Sequence, residues 1–157
     1  MRGRAAINSH CNRIEAAFER STAVSHDPEL LSDYAKYLCV LVSGFIEKSL
    51  AEIALEHARR AGAPSVQRFV EKNTARFTNA NSEKVLQLLG SFDPDWRSNV
   101  ESILVDQYKD AFDSVVNLRH QIAHGVSVGV TYVRIREYFR AIKEVIEHIQ
   151  DLCIPST

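Results

Sequence analysis

The sequence predicts an all-α fold, a helical bundle of four main helices with shorter helices inserted between the second and the third. Three observations carry that reading. Apolar residues recur at helical spacing along almost the whole chain. The interruptions are helix-start and helix-stop signals: Asp27-Pro28, Gly62-Ala63-Pro64, Asn81-Ser82 and Asp93-Pro94. Alternating strand residues are missing, with Val126 to Val133 the one short candidate. The 157 residues are 45% apolar and 25% charged, the composition of an ordinary globular protein, and are read as one domain over residues 1–157.

The first helix is expected from about Ala5 to Val24, with Ile7, Ile14, Ala17 and Phe18 on its apolar face. Ser25 to Pro28 forms a turn, with Asp27 as N-cap and Pro28 at the first helical position. A long helix then reaches about Ala61, burying Leu31, Tyr34, Leu38, Leu41, Phe45 and Ile53. After Gly62-Ala63-Pro64 comes a shorter helix from Ser65 to Phe77, and Asn81-Ser82 caps another through about Leu89. Asp93-Pro94 opens the helix carrying Trp96, Val100, Ile103 and Leu104, which either continues or kinks into the next. That next helix starts near Val105 and ends at His124, with Gly125 as its terminator. Thr131 caps a last helix through about Leu152.

A net charge of −1 leaves no molecule-wide field to attract polyanions, so any such binding must come from local patches. Cys11, Cys39 and Cys153 are odd in number, far apart and without a CxxC, which indicates neither a cysteine zinc site nor a disulfide framework. A reducing cytoplasmic location fits. Arg2 and Arg4 precede no apolar stretch, so no signal peptide is expected. The longest strongly apolar run, Leu38 to Val42, is too short to cross a membrane.

The richest segment is Asn117 to Gly125. On its helix Tyr108, Phe112, Val115, Ile122 and Ala123 fall on one side, and Arg119 falls in the middle of that side. A guanidinium there is costly unless it meets an anion or lies at an interface. His124 follows five residues later, so a permanent cation and a group that titrates near neutrality share one rigid segment, a pairing suited to phosphate chemistry. The plain alternatives stay open. Arg119 can be a structural arginine whose head pairs or snorkels out. A histidine in a last helical turn is favoured by the helix dipole alone. His120 and His124 have metal-ligand spacing, but Gln121 stands where a metalloprotease helix needs Glu, and no third ligand is identifiable, so no metal and no cofactor are expected. Two basic ridges, Arg68-Lys72-Arg76 and Arg136-Arg140-Lys143, are either solvated faces or tracks for a phosphate backbone. Cys39 lies on an apolar stripe and reads as core.

Arg119-His120-Gln121-Ile122-Ala123-His124 resembles the R-x4-H form of the motif that marks the HEPN superfamily, with His120 as the polar residue after the arginine. Leu41 to Leu50 looks like the second core helix of the branch called RiboL-PSP HEPN, and the resemblance spans about residues 30 to 152. It implies a metal-independent endoribonuclease, often a toxin or phage-defence effector, working as a homodimer whose two motifs face each other across a composite groove. On that basis His124 is the expected general acid or base, and Arg119 the phosphate-stabilising group. His120 would orient the pair or touch RNA, with Asn117 and Glu47 as supporting residues. Arg68, Lys72 and Arg76 are candidate backbone contacts. RNA, a second copy and an antitoxin protein are the implied partners, with no membrane. The alternative function is a non-catalytic dimerisation or binding module, since some members of the superfamily lack the motif and only bind or assemble.

Overall fold

Local signals place the helix starts. In the computed structural model, which describes residues 1–156, the Asp27 carboxylate accepts the Glu29 and Leu30 N–H groups. Asn81 accepts from the Lys84 N–H, Asp93 from the Asp95 N–H and Thr131 from the Arg134 N–H. Each satisfies an N–H that the first helical turn leaves without a partner. The helices are α1 (Gly3–Glu19), α2 (Pro28–Ala61), α3 (Pro64–Thr74), α4 (Ser82–Phe92), α5 (Pro94–Ile103), α6 (Asp106–Ala123) and α7 (Tyr132–Cys153).

The fold is all-α, and several boundaries differ from expectation. The first helix gives way at Arg20–Val24 to a 3-10 segment. There the Thr22 hydroxyl donates to the Glu19 carbonyl and the Ser25 hydroxyl to the Thr22 carbonyl, local bonds that compete with helix continuation. Helix α3 stops at Thr74 rather than Phe77, and α4 runs on to Phe92 rather than Leu89. The open question at Leu104 resolves as a break. Leu104 is buried with φ −85° and ψ 63°, and Asp106 takes φ 50°, so one buried leucine pins a turn between α5 and α6. Val126 to Val133 forms no strand.

Helix α2 touches α1, α3, α6 and α7, and α6 packs on α7. Its predicted stripe is only partly right. Leu38, Phe45 and Ile53 are buried, while Leu31, Tyr34 and Leu41 are half-covered. Cys39, Val42, Ile46 and Leu50 are buried too, because α2 is enclosed on more than one side. Phe139 of α7 stacks on Phe18 of α1 at 5.3 Å and meets Phe45 of α2 edge-on at 5.5 Å. Removing such a ring costs about 3–5 kcal/mol.

Three contacts orient the end of the bundle that matters for function. The Tyr34 hydroxyl of α2 donates to the Ala17 carbonyl of α1. Phe18 meets the Tyr132 ring of α7 at 5.8 Å, and the Tyr132 hydroxyl donates back to the Phe18 carbonyl. The end of α1, the start of α2 and the start of α7 therefore converge, and the connector leaving His124 arrives there. Among the described residues no helix is long and apolar enough to cross a membrane.

Candidate functional site

The last two turns of α6 run along the edge of the core, with Leu118 and Ile122 packed against it. Ala111, Phe112, Val115 and Val116 are buried. From Asn117 onward cover thins: Asn117, His120, Ala123 and His124 are exposed, and Leu118, Arg119, Gln121 and Ile122 are half-buried. The expected apolar stripe holds through Ile122, which with Leu118 packs against the edge of the core, and is corrected only at Ala123, which is exposed. Arg119 lies beside the core edge rather than within a buried stripe. Among the described residues it forms no ion pair, although eleven such pairs tie other cations to carboxylates.

The helix stop is built as the sequence indicates. The Val126 N–H donates to the Gln121 carbonyl and the Gly125 N–H to the Ile122 carbonyl, the paired bonds of a Schellman cap. Gly125 has φ +69°, in the left-handed region that glycine enters without steric cost. His124 is the C-cap, with φ −92° and ψ 9°. This closure holds its imidazole at the helix end, and the His120 and His124 rings lie 4.4 Å apart. At 100° per residue, His120 and His124 differ by about 40° around the axis, whereas Arg119 and His124 differ by about 140°. One copy of α6 therefore presents the two histidines together and the arginine on another side.

A groove of about 400 Å³ opens against the histidine side, lined by Asn79, Asn81, Lys109, Asp113, Asn117 and His120 among others. It brings together two of the expected residues, Asn117 and His120, but not Arg119 or His124. Lys109 and Asp113 were not foreseen although they precede Asn117 at four-residue spacing on the same face of α6, whereas Asn79 comes from a distant segment. For Asn79 the local sign was the Asn81-Ser82 cap beside it. Asp113 accepts the Ser82 N–H at 2.8 Å, which seats the start of α4 on α6. Glu47 accepts the Asn79 N–H at 3.2 Å, so it holds the loop that forms one wall of the groove. Asn79 takes φ 54°, and its buried Oδ1 has no partner among the described residues.

The basic ridges separate sharply. Arg136 and Lys143 both bind Glu15 of α1 and are structural, which corrects their reading as a free phosphate track. Arg68, Lys72 and Arg76 are exposed and unpaired among the described residues, but none of them lines the groove at His120. Arg76 also lies beyond the end of α3, so the ridge is broken at its third member. Cys39 is fully buried, and burial pushes its thiol up to about 12, which leaves it no role as a nucleophile. Among the described residues no three histidine, cysteine, aspartate or glutamate side chains are gathered in a way that could hold a metal ion.

Comparison with known proteins adds one finding. The family model described as RiboL-PSP-HEPN matches residues 5–154. No curated protein and no solved structure matches. The match extends the likeness from residues 30–152 back through α1, as expected of a helix whose Phe18 stacks within the common core. A match over nearly the whole length, on an all-α frame that ends its sixth helix at His124, places this chain in the RiboL-PSP-HEPN family.

Proposed function

We propose that this protein is a metal-independent endoribonuclease acting as a toxin or phage-defence effector. The observation that carries the reading is the end of α6. A half-buried arginine without a carboxylate partner and an exposed histidine on a rigid cap share one short segment of a chain from a HEPN family.

The reaction follows from those groups. A ribose 2′-oxygen attacks the adjacent phosphorus, the O2′–P bond forms and the P–O5′ bond breaks. The products carry a 2′,3′-cyclic phosphate and a 5′-OH. One imidazole takes the 2′ proton, another acid protonates the leaving 5′-oxygen, and a guanidinium offsets charge on the phosphorane. Histidine suits the proton transfers because it titrates near neutral pH. Arg119 suits the phosphate because its planar donors bind two oxygens at once. His120 orients the pair or contacts RNA, and Asn117 lines the adjoining groove with it. Glu47 acts further back by holding the Asn79 loop.

The divergence of Arg119 from His124 within one helix favours a homodimer, in which the arginine of one copy approaches the histidine of the other. Light scattering should then report about 35 kDa, two copies of the 17.7 kDa chain. An antitoxin protein would neutralise the enzyme by covering this end of α6.

Incubation of the purified protein with total RNA, with and without EDTA, tests the reading. Cleavage that survives EDTA and yields cyclic-phosphate ends supports it. The same divergence favours a second reading, a binding module, if the protein proves monomeric and leaves RNA intact.

A further inference from the structure

A second groove lies away from the α6 motif, between α1 and α2, with a volume of about 550 Å³. On α1 it is lined by His10, Arg13 and Arg20, and on α2 by Tyr37 and Lys48. No carboxylate lines it, although acidic residues outnumber basic ones in the chain, 20 to 19. Arg13, Arg20 and Lys48 are exposed and form no ion pair among the described residues. The acidic neighbours are turned elsewhere: Glu15 is held by Arg136 and Lys143, and Asp33 by Lys36.

The spacing makes this a track rather than a point site. His10, Arg13 and Arg20 fall within about 80° around α1, and ten residues of helix span about 15 Å. Tyr37 and Lys48 share the facing side of α2 in the same way. The Tyr37 ring is 48% exposed and braced at 5.6 Å by Tyr34, whose own hydroxyl is bonded to α1. His10 is fixed edge-on against Phe45 at 5.6 Å. Burial, then the charges of Lys48 and Arg13, holds its imidazole below the usual histidine value. Past His10 and Lys48 the surface leads to a further groove that Glu52 and Glu71 also line, so the carboxylate-free track ends at Lys48. Arg20, at the other end, closes α1 where Phe18 meets the start of α7, the end of the bundle reached by the connector from His124.

Cations in a row beside an exposed aromatic ring are what single-stranded nucleic acid requires. The cations follow the phosphates and the ring stacks a base. An acidic peptide would use the cations but leaves the tyrosine unexplained. We infer that the α1–α2 groove is a second RNA subsite, gripping the single-stranded backbone through Arg13, Arg20 and Lys48 and stacking a base on Tyr37. The inference rests on the RNA-directed reading above and adds to it the strand form of the substrate and the path it takes from the motif.

Fluorescence polarisation with a labelled single-stranded 2′-O-methyl RNA 20-mer, which cannot be cut by 2′-oxygen attack, tests binding apart from catalysis. Arg13→Gln/Arg20→Gln/Lys48→Gln should weaken binding about tenfold or more, and should reduce the slope of log K against log salt by about 2, given roughly 0.7 per single-strand phosphate contact. Tyr37→Leu, which keeps the apolar packing, should weaken binding about fivefold or more while leaving the salt slope unchanged. Circular dichroism confirms that each variant is folded. If the triple variant binds like wild type while wild type still cuts RNA, the groove assignment fails and the nuclease reading stands. If wild type binds polyglutamate through these cations and ignores the RNA, the groove belongs to an acidic protein and the subsite assignment fails, while cleavage of total RNA decides the nuclease reading separately.

Discussion

Two ends of α2 treat their charges in opposite ways. Near its C-terminal end Glu56, almost fully buried, binds Arg59 and Arg60 and lies close to Arg2, while Glu52 binds Arg59 and accepts the Gly3 N–H. Near its N-terminal end, where α6 finishes and α1 closes, Arg119, Arg13 and Arg20 have no such partners among the described residues. The residue types are the same. A cation with a carboxylate folded against it has its hydrogen bonds satisfied and serves cohesion. One without is available to an anion from outside.

The sharpest way to break this comparison is to remove the unpartnered groups. Arg119→Ala and His124→Ala should each lower RNA cleavage by about a hundredfold or more with helicity and melting temperature unchanged, since each supplies charge stabilisation or proton transfer worth about that much. Wild-type cleavage by either purified variant would sink the assignment. A fall in melting temperature would instead make the residue structural.

The opposite result is expected at the other end. Glu56→Gln should leave cleavage intact and cost about 1–2 kcal/mol, a drop of about 2–8 °C in melting temperature for a domain of this size. Burial by itself would raise the Glu56 carboxyl, but hydrogen bonds from Arg59 and Arg60 and the charge of Arg2 outweigh it and hold it below the usual 4.5. Its contribution is therefore complete above about pH 4.5 and is lost as pH falls through the lower folded value. Thermal melts from pH 7 to pH 3 should show wild type losing more stability on acidification than Glu56→Gln. Parallel curves would mean that the cluster is loosely solvated and contributes little.

A smaller effect sharpens the role of the α6 cap. A Cβ at Gly125 or at Gly129 would meet nothing within 4 Å, so crowding cannot distinguish them. Only Gly125 has positive φ, at +69°. Gly125→Ala should cost about 1 kcal/mol by strain in the left-handed region, whereas Gly129→Ala should change stability by less than about 0.5 kcal/mol. Cleavage should fall with Gly125→Ala alone, because the cap positions His124. Equal activity in the two variants would show that the histidine does not depend on the cap.

How far the sequence reaches is visible in single residues. Asp27, Asn81, Asp93 and Thr131 could be read as caps because the group they satisfy lies two or three residues away. Gly125 could be read as a stop for the same reason, and Arg119 to His124, together with Leu41 to Leu50 and the helical frame, gave the family resemblance. Tertiary packing decided the rest. Helix period places Arg119 on an apolar side, but only the neighbouring helices determine that burial there is partial beyond Val116. Arg136 and Lys143 look like a free ridge until α1 brings Glu15 against them. His10, Arg13 and Arg20 look like scattered surface charge until α2 sets Tyr37 and Lys48 opposite. Capping and periodicity are satisfied within a turn or two of chain and so are written locally. Charge pairing, burial depth and groove lining depend on residues far apart in sequence that meet only when the helices pack.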